Sequence, residues 1–143
     1  MKVQRIQKEL LALRESPPPF VELVNEPTSL SEWHVRVYSP AGSPYEGKDM
    51  VLSVKFGTEY PFKPPYIKFV TPMFHPNVGV SGHICVNFLG HDWSPGQRMN
   101  AVFTSIVQLI QDPNVASPLN GEAAIAFSVN KEHYARAVDA HMR

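Results

Sequence analysis

The sequence predicts an α+β fold, and three observations support this prediction. Apolar residues recur at helical spacing at the amino terminus, four short runs typical of β-strands follow, and helical periodicity returns after residue 100. Because no long helical pattern separates the four runs, a parallel βαβ sheet is not expected. The length of 143 residues suits a single domain spanning residues 1–143.

The first predicted element is an amphipathic helix whose apolar face consists of Val3, Ile6, Leu10 and Leu13. It must end at Ser16-Pro17, because proline cannot continue a helix. Four strands are predicted at 20–25, 33–38, 50–56 and 66–70. Each run is bounded by Pro, Gly, Asn or Ser, a pattern that predicts an antiparallel meander.

Residues 71–99 show no regular pattern, and a segment of this length in a compact domain is usually functional. Helical periodicity resumes at Asn100, which is predicted to cap a helix that Pro113 ends. The apolar stripe of this helix consists of Val102, Phe103, Ile106, Leu109 and Ile110. Two more helices are predicted at 121–127 and 131–141, the second capped by Asn130. The apolar face of the last helix consists of Tyr134, Ala137, Val138 and His141.

Composition excludes several classes of protein. Thirteen Lys and Arg residues balance thirteen Asp and Glu residues, which argues against a general nucleic-acid binder or a protein of anionic membrane surfaces. A single cysteine excludes a disulfide framework and a multi-cysteine zinc site, and it fits a reducing compartment. No apolar signal core or membrane span is recognisable. We therefore expect a cytosolic or nuclear protein that needs no cofactor.

Cys85 is the first candidate for chemistry, because it lies inside the irregular segment. About 3% of a free thiol is thiolate at pH 7, yet sulfur is the best nucleophile available to the chain. A lone cysteine is more often a buried structural residue. Position on a loop held by a scaffold favours function instead. The residues alone leave both interpretations open.

Three histidines, His75, His83 and His91, bracket Cys85 and raise two other possibilities. Their spacing matches no standard zinc-ligand pattern, so no metal site is expected. A cysteine hydrolase would pair the thiol with a positioned histidine, but the local signatures of known cysteine peptidases are absent. Histidines that bond loop backbone or face solvent are the simpler interpretation, most clearly for His34, His133 and His141.

The order and spacing of these residues resemble the ubiquitin-conjugating enzyme family, the E2 class. His75-Pro76-Asn77 is followed by Cys85 eight residues after the asparagine, and then by Trp93-Ser94-Pro95. Further motifs extend the resemblance over almost the whole chain: 5–10 (RIQKEL), 45–47 (YEG), 60–65 (YPFKPP), 113–114 (PN) and 117–119 (SPL). The family's fold is a UBC domain with an N-terminal helix, a four-stranded antiparallel meander, a loop-rich active-site region and C-terminal helices.

The resemblance implies that Cys85 accepts ubiquitin from an activating enzyme (E1) as a thioester. It then yields ubiquitin to a substrate lysine or to a ligase cysteine. Thioester exchange passes an acyl group between sulfurs of similar leaving ability, so no strong dedicated base is required. Attack by lysine is harder, because the amine is almost wholly protonated at pH 7 and an oxyanion must be stabilised.

The resemblance also assigns roles to the neighbours of Cys85. Asn77 matches the position credited with oxyanion stabilisation, and the alternative is that it only staples the loop through backbone hydrogen bonds. His75 and Pro76 are interpreted as structural. Where many members have acids lining the site, this chain has Asn87 and Ser117, which can hydrogen-bond an amine but cannot act as bases at neutral pH.

A docking surface for RING or HECT-type ligases (E3) is implied by the match of Arg5, Pro61, Phe62, Lys63, Ser94 and Pro95. Phe62 is predicted to protrude as an anchor, and the alternative is that it fills the local core. Two departures from the family pattern are Thr104, where members that clamp the modifier often have leucine, and Glu22, where some members have serine for a second modifier site.

The alternatives to a ubiquitin-specific enzyme are an enzyme for another modifier and a non-catalytic protein of the same fold. A role with another ubiquitin-like modifier of the NEDD8 type stays open. A SUMO-type role is disfavoured, because only seven residues separate Cys85 from Trp93 and SUMO-type members carry more. A non-catalytic UBC-fold binding module is disfavoured because such variants lack the cysteine that this chain keeps.

Overall fold

The computed structural model describes residues 2–84 and 87–143, with Asn87 described by its backbone alone. The elements run in the order α1 (Lys2–Glu15), β1 (Val21–Leu23), β2 (Glu32–Val37), β3 (Met50–Lys55), β4 (Tyr66–Phe69), α2 (Met99–Gln111), α3 (Gly121–Val129) and α4 (Lys131–His141). A short 3-10 turn spans Asn87–Leu89. The α+β prediction is confirmed, and α3 extends two residues beyond its predicted end.

The four strands form one antiparallel sheet in the order β1-β2-β3-β4, which confirms the predicted meander. In the centre of the sheet, Val35 pairs with Leu52, and Leu52 pairs with Phe69. These side chains are buried on the inner face, whereas alternate residues such as Lys55 and Lys68 face outward. Strands β1, β3 and β4 are shorter than predicted by one to three residues, whereas β2 has the predicted length but begins one residue earlier.

The core lies between the inner face of the sheet and the helices α1 and α2. From α2 it receives Met99, Val102, Phe103, Ile106, Val107 and Ile110. From α1 it receives Ile6, Leu10 and Leu13, but Val3 was wrongly predicted to join them and is 51% exposed. Val3 lies in the first turn of α1, before the first buried residue Ile6, and helical side chains tilt toward the helix N-terminus, so its side chain extends past the core.

Glu9 joins α1 to α2 through a hydrogen bond that the sequence analysis missed. Its buried Oε2 accepts from the backbone N–H of Met99 at 3.1 Å and from the Tyr60 hydroxyl at 2.9 Å. Asn100 was wrongly predicted as the N-cap. Helix α2 begins at Met99, Arg98 provides no side-chain cap, and the carboxylate of Glu9 occupies the positive end of the helix instead.

The two C-terminal helices are capped by asparagines. Asn120 Oδ1 accepts from the Ala123 N–H at 3.0 Å, and Asn130 Oδ1 accepts from the His133 N–H at 2.7 Å, which confirms the predicted cap of α4. His141 lies at the exposed end of the predicted apolar face, where its ring stacks on Phe74. Within the described residues, no helix is long and apolar enough to cross a membrane.

Candidate active site

The loop after β4 is anchored by His75, which is fully buried. Its Nε2–H donates to the carbonyl oxygen of Leu109 in α2 at 2.8 Å, while its Nδ1 accepts from the N–H of Asn77 at 2.9 Å. These partners fix the neutral tautomer with the proton on Nε2. Burial lowers the pKa of His75 to about 4, because charging the ring would cost its desolvation. The predicted structural role of this residue is consistent with these contacts.

Asn77 is tied to the loop after α2 by both ends of its side-chain amide. Its Nδ2 donates to the carbonyl oxygen of Asn114 at 2.6 Å, and its Oδ1 accepts from the N–H of the same residue at 2.8 Å. The hydrogen bonds that hold the loop in place, which were one of the two interpretations of Asn77, are therefore present. Within the described residues only one of the two Nδ2 protons is used, and the role of Asn77 as an oxyanion donor stays a prediction.

Pro76 completes the connection between the two loops. Its carbonyl oxygen accepts from the N–H groups of Leu119 at 2.8 Å and of Asn120 at 3.1 Å. Ser117 lies exposed between the two anchored ends of this crossover segment, residues 114–120. Its hydroxyl makes no hydrogen bond within the described residues, so it is free to meet a ligand.

A tight turn then carries the chain back toward Asn77. Val78 forms a bridge with Ile84, and the N–H of Gly79 donates to the carbonyl oxygen of His83 at 2.8 Å. Gly82 has φ of 88°, and a Cβ atom there would collide with the carbonyl oxygen of Phe69. The turn therefore requires glycine, and it places Ile84, the residue before Cys85, beside the residue that follows Asn77.

Cys85 itself lies outside the described residues, as does the side chain of Asn87. The roles predicted for these two residues therefore stay predictions. The structure does describe the chain on both sides of residues 85–86. The bridge between Val78 and Ile84 lies directly before them, and the 3-10 turn at Asn87–Leu89 follows them.

The histidines near Cys85 differ in what they can do. His83 and His91 are exposed, whereas both ring nitrogens of His75 are occupied by backbone partners. His75 is thus unsuited to act as the general base of a Cys–His pair. Among residues 2–84 and 87–143, no group of three metal-ligating side chains comes together.

The predicted ligase-docking residues are brought together on one surface. Phe62 is 78% exposed, which rules out the alternative that it fills the core. Trp93 stabilises the turn that carries Phe62, because its Nε1–H donates to the carbonyl oxygen of Pro61 at 2.9 Å. Arg5 reaches the same region by donating to the carbonyl oxygen of Pro95 at 2.7 Å.

These residues do not all have the same freedom to bind a partner. Lys63 and Ser94 are exposed, and Lys63 lies 3.8 Å from Glu59. The guanidinium of Arg5 is occupied by the carbonyl oxygens of Pro95 and Gln97 and by Glu9. Arg5 therefore positions the loop that carries Ser94 and Pro95.

The structure also shows the surroundings of Thr104 and Glu22, the two departures from the family pattern. Thr104 is exposed on α2 and donates its hydroxyl to the carbonyl oxygen of Asn100. Glu22 lies on the outer face of β1, where it accepts from the Tyr38 hydroxyl at 2.9 Å and contacts Arg36 at 3.4 Å. This charged cluster replaces the small polar residue that a second modifier site would offer.

Sequence reasoning missed two residues on which the site depends. Asn114 was identified only as part of the motif at 113–114. Its backbone is in fact the partner of Asn77, and its Oδ1 accepts from the N–H of Ala116 at 3.0 Å. An asparagine directly after a proline at a helix end is a signal for such a turn. The carbonyl oxygen of Leu109 carries no signal in the sequence.

The burial of His75 predicts a pH dependence of stability. The unfolded chain binds a proton at this residue below about pH 6.5, whereas the folded protein does so only near pH 4. The free energy of unfolding should therefore fall by about 3 kcal/mol as the pH drops from 6.5 to 4. Urea denaturation at several pH values measures this loss.

The variant His75→Gln should be less stable at pH 7 but lose less stability on acidification. His133→Gln removes an exposed imidazole and controls for the substitution itself. A wild-type pH profile in His75→Gln would show that another group is responsible.

The chain was then compared with known proteins. The ubiquitin-conjugating enzyme family model matches residues 5–142. Ubiquitin-conjugating enzyme E2 2 of Saccharomyces cerevisiae is 38% identical over 135 residues, which cover 94% of this chain and 78% of that protein. The Eremothecium gossypii protein of the same name is equally similar, with 79% of its length covered. Ubiquitin-conjugating enzyme E2 3 of Arabidopsis thaliana is also 38% identical, with 90% of its length covered. These matches agree with the observed fold, and the chain belongs to the ubiquitin-conjugating enzyme family.

Proposed function

We propose that this enzyme carries ubiquitin as a thioester on Cys85 and transfers it to a substrate lysine or to a ligase cysteine. The observation that carries the proposal is the buried amide of Asn77. It is held by two hydrogen bonds to Asn114, and the chain returns beside it just before its only cysteine. The match of the family model over residues 5–142 supports the same function.

The first step is an exchange between sulfurs. The Cys85 thiolate attacks the carbonyl carbon of the thioester on the activating enzyme, and that enzyme's thiolate leaves. Because the two sulfurs are similar leaving groups, the step needs no strong base at the site. The buried, neutral His75 is consistent with this, since it holds the loop without taking a proton.

The second step is harder when the acceptor is a lysine. Its neutral amine attacks the thioester carbonyl, the Cys85 thiolate leaves, and the amine loses a proton to solvent. The free Nδ2–H of Asn77 would donate to the oxyanion, a contribution worth about 2.7–4 kcal/mol at comparable sites. Ser117 and Asn87 would orient the amine by hydrogen bonding.

The partners follow from this chemistry. An activating enzyme supplies ubiquitin, and a RING or HECT-type ligase docks on the exposed turn at Phe62, supported by Pro61, Lys63, Ser94 and Pro95. A single cysteine suits the reducing environment of the cytosol or nucleus, where we expect the enzyme to act. A NEDD8-type modifier has no specific observation in its favour, and a parallel charging reaction with that modifier tests it.

The first test is the charging of Cys85. With activating enzyme, ATP and ubiquitin, the protein should form an adduct that reducing agent cleaves, and Cys85→Ala should form none. Cys85→Ser should form an adduct that resists reducing agent, because an alkoxide is a poorer leaving group than a thiolate. Gel electrophoresis with and without reducing agent measures both.

The same reaction with NEDD8 and its activating enzyme tests modifier choice. Charging with NEDD8 and not with ubiquitin would contradict the proposed modifier. A reducible adduct on Cys85→Ala would overturn the mechanism, because the chain has no other cysteine.

The second test concerns Phe62. Loss of a central aromatic anchor typically costs 2 kcal/mol or more, about thirtyfold in affinity. Phe62→Ala should therefore keep its melting temperature and charge with ubiquitin at a normal rate, but it should fail to be stimulated by a ligase. Phe20→Ala removes another exposed phenylalanine and serves as the control. Normal ligase stimulation of Phe62→Ala would exclude it as the anchor.

A further inference from the structure

A groove runs along the outer face of the sheet at β4, and of its lining residues only Lys63 belongs to the surface proposed for the ligase. Its volume is about 620 Å³, and its walls are the outer face of β3 and β4 on one side and residues 83–84 and 89–90 on the other. We refer to it as the β4 groove. Four of its lining residues are basic: Lys55, Lys63, Lys68 and His83.

Strand register places three of these basic residues on one face. Lys55 pairs with Tyr66 across β3 and β4, and Ser53 pairs with Lys68. Lys55 and Lys68 are therefore diagonal neighbours, a relation that separates residues by about 7–8 Å. His83 forms a bridge with Lys68 from the other side, so its side chain points to the same face.

Within the described residues, the positive charge of the β4 groove is only partly balanced. No aspartate or glutamate lines the groove, and neither Lys55 nor Lys68 has a carboxylate oxygen within 4 Å. Glu32 lies opposite Lys55 on β2 without forming an ion pair, and the contact of Lys63 with Glu59 is long and exposed. An anionic ligand would relieve the repulsion between these lysines.

The walls of the groove between the basic groups are apolar. Pro65 and Ile84 are buried and Leu89 is partly buried, and all three line the groove. A ligand that fits such walls combines carboxylates with apolar side chains, as an acidic peptide segment does. A polynucleotide fits less well, because its long run of phosphates would extend past the lysines to Glu32 and Glu59, which border the basic patch and would repel it, whereas a short acidic segment need contact only the lysines.

The groove also lies beside the segment that carries Cys85. Ile84 lines the groove and directly precedes Cys85 in the chain, and consecutive Cα atoms are about 3.8 Å apart. Leu89 lines it from the far end of the same segment. A peptide held here lies next to the chain segment that carries Cys85.

We propose that the β4 groove docks an acidic, partly apolar segment of the protein to be modified, next to the target lysine. This rests on the proposed function, because it supplies the substrate preference of the Cys85 thioester. Docking raises the effective concentration of the amine at a site that has no charged group of its own to attract it.

The test uses three peptides that share one lysine and one apolar residue. One carries glutamates beside the lysine, one glutamines and one arginines. Single-turnover discharge of the preformed thioester gives kcat/KM for each. The wild type should prefer the acidic peptide over the neutral one by about tenfold at low salt, and the preference should shrink at high salt because salt screens exposed charges.

Charge reversal provides the decisive comparison. Lys68→Glu should reverse the order so that the arginine peptide is preferred, while the matched control Lys131→Glu, an exposed lysine on α4, should keep the wild-type order. Equal use of the acidic and neutral peptides by the wild type, or an acidic preference that persists in Lys68→Glu, would overturn the proposal.

Direct binding separates this proposal from the proposed function. Fluorescence anisotropy of a labelled acidic peptide with the uncharged protein should show binding that Lys68→Glu abolishes, even if no thioester forms. Failure to charge Cys85 with intact peptide binding would contradict only the proposed function. Displacement of the peptide by a single-stranded oligonucleotide that binds more tightly, in a Lys68-dependent way, would assign the groove to nucleic acid instead.

Discussion

Two hydrogen bonds between the Asn77 side chain and the backbone of Asn114 connect loops that are 37 residues apart in the sequence. The loop after β4 has almost no regular structure, so it depends on such side-chain bonds for its shape. His75 fixes it to α2 through Leu109, and Pro76 holds the far end of the crossover segment through Leu119 and Asn120. Removal of Asn77 would remove both hydrogen bonds, each worth about 0.5–1.5 kcal/mol.

The described residues of the site are also uncharged. The ring of His75 is neutral at physiological pH because burial lowers its pKa to about 4, and Asn77 and Ser117 carry no charge. Such a site suits thioester exchange, which needs orientation more than proton transfer. It offers little electrostatic attraction to a lysine amine. In our account, recruitment is supplied from outside the site, by a ligase at Phe62 and by the basic β4 groove.

The sequence predicted the elements well where their signals are local. Alternation of apolar and polar residues located the strands, and the cap at Asn130 was recognised because it lies directly before its helix. The cap of α2 was assigned to the wrong residue, because the acceptor is Glu9, 90 residues away in the chain. No local pattern could reveal that partner.

In the candidate site, too, local features could be predicted from the sequence and contacts between distant residues could not. Motif spacing identified His75, Pro76 and Asn77, and Phe62 was recognised as exposed from its place in a proline-rich turn. The choice between a staple and an oxyanion donor at Asn77 could not be made from the sequence, because it depends on where Asn114 lies in space. The charge of the β4 groove was hidden for a related reason. Lys55 and Lys68 lie on two different strands and become neighbours only through strand register.

The central claim is that Asn77 holds the crossover segment against the loop. Hydrogen exchange of the Leu119 backbone N–H in Asn77→Ala tests it most directly, because Leu119 bonds to Pro76 and not to Asn77. The account predicts that protection of this N–H falls by about tenfold or more, the equivalent of about 1.4 kcal/mol. The N–H of Phe56, a buried residue that bonds to Ser31 beside the end of β3, should stay unchanged and thereby exclude global destabilisation. Wild-type protection of Leu119 in Asn77→Ala would contradict the account.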